Sequence, residues 1–150
     1  MKKKDFMILI GICIVMNLMT IREMKMIGKI FIALFPYFDI GSRRKGLKER
    51  PVLVIGETND NDCIILPVST ITKKQYFNPE YDIEIDPEKY PKLNLNKLSY
   101  IRVHKQAIIY KKALHKEIGD LKVEYGLKYI EVMKKLEGFN KSLLFNNCVF

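Results

Sequence analysis

Three short apolar runs constrain this chain most: residues 30–35 (IFIALF), 52–55 (VLVI) and 64–68 (IILPV). Each is rich in Ile, Val, Leu and Phe, which suits strands covered on at least one face. Pro36 follows the first run and should end its ladder, since proline has no N–H to donate. Pro51 opens the second, an accepted place for proline. Residues 37–49 read as a polar connection too long for a tight hairpin, with Gly41 and Gly46 inside it. Loops of that length are usually functional or mobile. Arg43, Arg44, Lys45 and Lys48 lie in it, and Arg50 stands where it enters the second strand. Ser69 and Thr70 close the third strand. Asp60 and Asp62 fall in a turn before that strand, where a solvated hairpin tip explains them better than a metal site.

The rest of the chain continues the β pattern. Residues 81–85 alternate apolar and acidic side chains, as a half-exposed strand would. Residues 99–104 and 107–110 read as two further strands, with His104, Lys105 and Gln106 near their junction. Residues 111–118 suggest a short helix, with His115 on its polar face. Asp120 is placed to cap a longer helix ending near Leu144. Val123, Leu127, Ile130 and Met133 recur along it at helical spacing and should face the core. Strands first and a helix last indicate a mainly β or α+β domain.

At 150 residues with 48% hydrophobic content, the chain can bury a core as one domain. A formal net charge of +9 and a pI near 9.4 favour a polyanionic partner such as nucleic acid, an anionic membrane or an acidic protein. Three cysteines, Cys13, Cys63 and Cys148, lack metal-binding spacing. They fit reduced thiols and a cytoplasmic location, with Cys63 as a small buried hydrophobe. Residues 1–27 stand apart. Lys2, Lys3 and Lys4 precede an uncharged run over residues 6–21. As an apolar helix those residues would span about 24 Å, short of the ~30 Å hydrocarbon core. Three readings fit: a membrane anchor, leader sequence upstream of a shorter protein, or a helix docked on the domain. Export fits less well, because Met19-Thr20-Ile21-Arg22 is a poor cleavage site.

The central block resembles the PemK/MazF family of bacterial toxin ribonucleases. The matching residues are Gly28 before an apolar strand, Pro36 after it, Gly41-Ser42, Arg50-Pro51-Val52-Leu53-Val54-Ile55 and Leu66-Pro67-Val68-Ser69. Weaker similarity runs through Ile118-Gly119-Asp120-Leu121. The resemblance covers residues 28–144, leaving 1–27 and the tail 145–150 outside the domain. It implies a small SH3-like, partly open barrel with a C-terminal helix, preceded here by an apolar N-terminal helix. It also implies an endoribonuclease that needs no metal or cofactor and cuts single-stranded mRNA to 2′,3′-cyclic phosphate and 5′-hydroxyl ends. The partners implied are a second copy of the chain and an antitoxin protein.

Such cleavage needs little equipment, because the 2′-hydroxyl of RNA is the nucleophile. The protein must align the attack and stabilise charge gathering on phosphorus. A guanidinium does this with two parallel hydrogen bonds, and a hydroxyl can add a third. The resemblance therefore assigns catalysis to Arg50 and, at a position where the family carries Thr, to Ser69. Thr70 is the neighbouring candidate. Ser42, Arg43, Arg44, Lys45, Lys73, Lys74 and His104 are candidates for RNA binding. Residues 104–107, His-Lys-Gln-Ala, depart from the family, which often has a Glu-Gln pair here and an Arg shortly after. That departure keeps open a non-catalytic binding or regulatory module of the same fold, membrane-anchored if residues 6–21 insert.

Overall fold

The structure, a computed structural model, describes residues 26–39 and 41–146. The readings made of residues 1–25, including the apolar N-terminal helix, lie outside the described residues, as does most of the tail. Among the described residues no helix is long and apolar enough to cross a membrane.

Strands β1 (Lys29–Asp39) and β2 (Arg44–Glu57) form one long antiparallel hairpin. Their register runs from Ile30 opposite Leu53 to Asp39 opposite Arg44. Most of the stretch expected to be a loop is therefore strand. Pro36 does not end β1, and Pro51 lies inside β2 rather than at its start. Pro36 is tolerated because β7 pairs with β1 only as far as Ala33, so the outer part of β1 is an edge. Arg43, at φ +55°, turns the chain into β2.

Strand β3 (Asp62–Ser69) pairs with β2 from Glu57 opposite Cys63 to Val52 opposite Pro67. The other side of β3 is shared. Its first half pairs with β6 (Ala107–Tyr110), and Val68 and Ser69 pair with β5 (Ser99–Arg102). Strand β4 (Asp82–Ile85) closes that side, and β7 (Leu114–Asp120) lies outside β1. The sheet order is β4-β5-β3-β2-β1-β7, with β6 beside β3. The helix expected over residues 111–118 is thus a single 3-10 turn, Lys111–Ala113, followed by β7, and His115 sits on a strand. The free edge of β1 decides this. It offers ladder bonds to residues 114–120, and Lys29 meets Glu117 across the pair at 2.9 Å.

Alternation along the strands divides the core. Leu53, Ile30, Leu66, Val68, Ile83 and Ile101 face the C-terminal helix side. Val52, Val54, Ala33, Cys63, Ile65 and Ile109 pack on the other face. Cys63 is a free, buried thiol, as expected, and burial raises its pKa, with Glu57 adding to the effect.

Asp120 caps the helical segment as its sequence position suggests: its Oδ1 accepts from the Val123 N–H at 3.0 Å. The helix then breaks at Tyr125, separating α1 (Leu121–Glu124) from α2 (Gly126–Asn146). Val132 and Leu136 are buried, while Val123, Leu127 and Ile130 are exposed. The apolar stripe expected to face the core is therefore mostly on the outside. Gly28 joins the start of β1 to α1. Its carbonyl accepts from Leu121 N–H at 2.9 Å, and its N–H donates to Val54 at 2.8 Å. With φ +91°, and a would-be Cβ only 2.3 Å from Lys122 Cβ, the position requires glycine.

Candidate functional site

A cleft opens where β2 and β3 part. The last pair between them is Val52 opposite Pro67. Beyond it the end of β3 keeps its pairing with β5 on the far side, Ser69 opposite Tyr100. Pro51 and Pro67 flank this parting and supply no ladder N–H. The resulting cleft, of about 200 Å³, has Lys48, Glu49, Arg50 and Pro51 on one wall and Val68, Ser69 and Thr70 on the other. Ser99 forms part of the floor, its hydroxyl donating to the Lys97 carbonyl at 2.8 Å.

Arg50 and Ser69, picked out together in the sequence, thus line one cleft, with Thr70 beside them. Arg50 is half-buried and lies opposite the buried Ala33 on β1. Its guanidinium carbon sits 5.8 Å from the centre of the Tyr37 ring. That ring lies over Gly46, where a Cβ would approach Tyr37 Cε1 to 2.8 Å. A glycine opposite an aromatic residue thus seats the ring, and the ring seats the arginine. Glu49, the nearest carboxylate in sequence, also lines the cleft and has its Oε1 3.2 Å from His115 Nδ1.

The other candidates are spread out. Ser42, Arg43, Arg44 and Lys45 are exposed at the hairpin tip. Arg44 stands six strand positions before Arg50, about 20 Å away. Lys73 and Lys74 are exposed on the connection that begins at Thr70. His104 does not line the cleft. Its Nδ1 is buried and lies 3.6 Å from Asp82 Oδ1, and its ring is tilted beside Tyr81. Burial lowers its pKa most; Asp82 opposes that shift, while Arg102 and Lys105 add to it.

Sequence reasoning passed over Lys105, Arg102 and Asp82. Lys105 shares the electrostatic environment of Arg50. Partial desolvation lowers its amine pKa first, Arg102 next, and Arg50 adds to the effect against the pull of Asp82. The signal in the sequence is the basic residue beside His104 in the His104-Lys105-Gln106 triplet. Among the described residues no three His, Cys, Asp or Glu side chains gather so as to hold a metal ion.

A curled, mainly β antiparallel sheet backed by a C-terminal helix is the fold of a small, partly open barrel. The profile of the PemK-like, MazF-like toxins of type II toxin-antitoxin systems matches residues 27–134, and the chain belongs to that family. Among solved structures it is similar to the Mycobacterium tuberculosis toxin MazF-mt6, with a TM-score of 0.54 and 16% identity. That match covers 75% of this chain and 96% of the other, and at this identity it speaks for the fold. No curated protein matches the sequence.

Proposed function

We propose that this protein is a toxin endoribonuclease that cuts single-stranded mRNA by internal transesterification. The 2′-oxygen bonds to the adjacent phosphorus as its proton leaves. The bond from phosphorus to the 5′-oxygen breaks, and that oxygen takes up a proton. The ends are a 2′,3′-cyclic phosphate and a 5′-hydroxyl. Nothing in this sequence of bonds calls for a metal, because the nucleophile belongs to the substrate. The observation that carries the reading is the cleft holding Arg50 and Ser69 on facing walls. A phosphate seated between them would meet a guanidinium fork and a hydroxyl together. As the phosphorane forms, its non-bridging oxygens gain charge, and Arg50 holds them more tightly than in the ground state. Ser69 donates one further hydrogen bond. Lys48 and Lys105 add positive potential nearby, and Arg43, Arg44, Lys45, Lys73 and Lys74 track the strand on either side.

The domain over residues 28–144 acts as a homodimer and is blocked by an antitoxin whose acidic segments meet the basic face. Incubation of the purified protein with a long mRNA in EDTA, with mapping of 5′ ends, tests the reading. Discrete cuts bearing 5′-hydroxyls are expected. Intact RNA at saturating protein refutes the enzymatic reading, and bound but uncut RNA leaves a binding module.

A further inference from the structure

The β3–β4 connection starts at Thr70 in the cleft wall and ends at Asp82, the first residue of β4. Its far half is fastened from beneath by a buried ion pair. The Asp82 side chain is 0% exposed and that of Arg102 12%. Arg102 Nε donates to Asp82 Oδ1 at 3.1 Å, and Nη2 donates to the Tyr76 carbonyl at 2.7 Å. The second Asp82 oxygen, Oδ2, accepts from the Asn78 N–H at 2.8 Å. Asn78 in turn accepts through Oδ1 from the Glu80 and Tyr81 N–H groups at 2.9 and 3.1 Å. Phe77 sets its ring edge-on to Tyr100, the residue paired with Ser69. The connection is thus fastened from Tyr76 to Asp82 and continuous with β3 at its start, and Lys73 and Lys74 lie on the exposed span between.

We propose that the Asp82–Arg102 pair positions this connection, holding Thr70, Lys73 and Lys74 beside the Arg50 cleft so that they form one RNA-binding surface. The proposal rests on the nuclease reading and names a part of its binding surface. A buried ion pair seldom adds stability over apolar packing, because desolvating two charges offsets their attraction. What this pair adds is geometry: one planar fork contacts a carboxylate on β4 and a carbonyl on the loop at once. Lysine could keep the first contact but not both. Arg102 and Asp82 are positioning residues that act through the loop.

The test uses Arg102→Lys and the double variant Asp82→Asn/Arg102→Gln, which removes both charges and strands neither. Each is melted, followed by amide hydrogen exchange, and assayed for binding and single-turnover cleavage of a labelled single-stranded transcript. Amides of residues 73–78 should exchange at least about tenfold faster, with the rest of the sheet unchanged. RNA affinity should fall about tenfold, the cost of ordering a freed loop on binding. The cleavage rate at saturating enzyme should stay within about twofold, since Arg50 still meets the phosphate. Unchanged exchange would overturn the proposal. So would faster exchange with unchanged affinity, or global unfolding of both variants, which would make the pair a strut of the whole fold. Wild-type protein that neither binds nor cuts RNA would remove the nuclease reading itself. Wild-type cleavage with undiminished affinity in Arg102→Lys would overturn the positioning claim alone.

Discussion

Replacing Arg50 with alanine separates the chemistry of the cleft from its architecture. In the folded protein the guanidinium lies 5.8 Å from the Tyr37 ring centre, on a half-buried strand position. A cation–π contact of that kind is worth about 0.5–1 kcal/mol at an exposed site. The alanine variant should therefore lose no more than about 1 kcal/mol of stability, a melting shift of a few degrees in a domain this size. Its catalytic loss should be far larger. Removing one donor that stabilises developing charge costs about 2.7–4 kcal/mol, roughly a hundred- to thousandfold in rate. The loss should fall on the single-turnover rate at saturating enzyme, with RNA affinity changed little, because the contact strengthens in the transition state. Arg50→Lys should recover little, since an ammonium cannot bridge two phosphate oxygens as a fork does. Ser69→Ala should cost less than Arg50→Ala, one neutral hydroxyl being a weaker donor with Thr70 beside it. A folded Arg50→Ala protein cutting at the wild-type rate would refute the assignment. One that unfolds would show that Arg50 acts chiefly as a structural partner of Tyr37.

Arg43→Ala and Arg44→Ala, about 20 Å along the hairpin from Arg50, should weaken RNA binding while leaving cleavage per bound complex intact. Each should reduce the slope of log affinity against log salt by about one if it touches a phosphate, as binding titrations at several salt concentrations would show. Gly28→Ala should lower stability by at least about 1–3 kcal/mol, since φ there is +91° and the new Cβ would lie 2.3 Å from Lys122 Cβ; denaturant titration reads this. His104 has a pKa lowered by burial, so the unfolded chain binds its proton more readily than the folded one. Stability should then fall as pH drops through about 6.5 towards the lower folded value. His104→Gln should flatten that part of the stability profile, and an unchanged acid slope would place its cause elsewhere.

The strands were legible because each run is short, branched and packed on a face that alternation defines. Val52 and Val54 face one side while Leu53 faces the other. The hairpin arms over residues 36–39 and 44–50 were not legible. Their polar residues and glycines look like a loop, and what makes them strand is mutual pairing, with Tyr37 seated over Gly46. The change from helix to strand in residues 114–120 has the same origin, since the free edge of β1 lies more than 80 residues away in sequence. At the site, Arg50 and Ser69 could be paired by resemblance to a family motif. The Asp82–Arg102 pair could not, because nothing local joins residues 20 apart on adjacent strands. The intrinsic pKa of His104 is legible in the sequence, while its burial beside Asp82 and Tyr81 is a property of the fold.

The C-terminal helix offers the sharpest contrast, because it carries two apolar stripes. One runs through Val123, Leu127 and Ile130, all exposed, and reaches the core only at Met133; the other, through Tyr129, Val132, Leu136 and Phe139, shares the core contacts along its length. At 100° per residue the Leu127–Ile130 face lies roughly opposite Val132–Leu136. Periodicity counted from Val123 assumes one continuous helix, but Tyr125 at φ −139° interrupts it and packs edge-on against Tyr90. Further along, Phe139 packs against Tyr81. These ring contacts, made with residues far away in sequence, choose the buried face. Leu136→Ala should therefore cost about 2–5 kcal/mol. Leu127, 86% exposed, should tolerate alanine within about 0.5 kcal/mol. Both are measured by denaturant unfolding at low protein concentration. A Leu127→Ala cost above that of Leu136→Ala would mean the helix presents its other face to the sheet. A Leu127 cost that grows with protein concentration would instead place that face at a contact between copies of the chain.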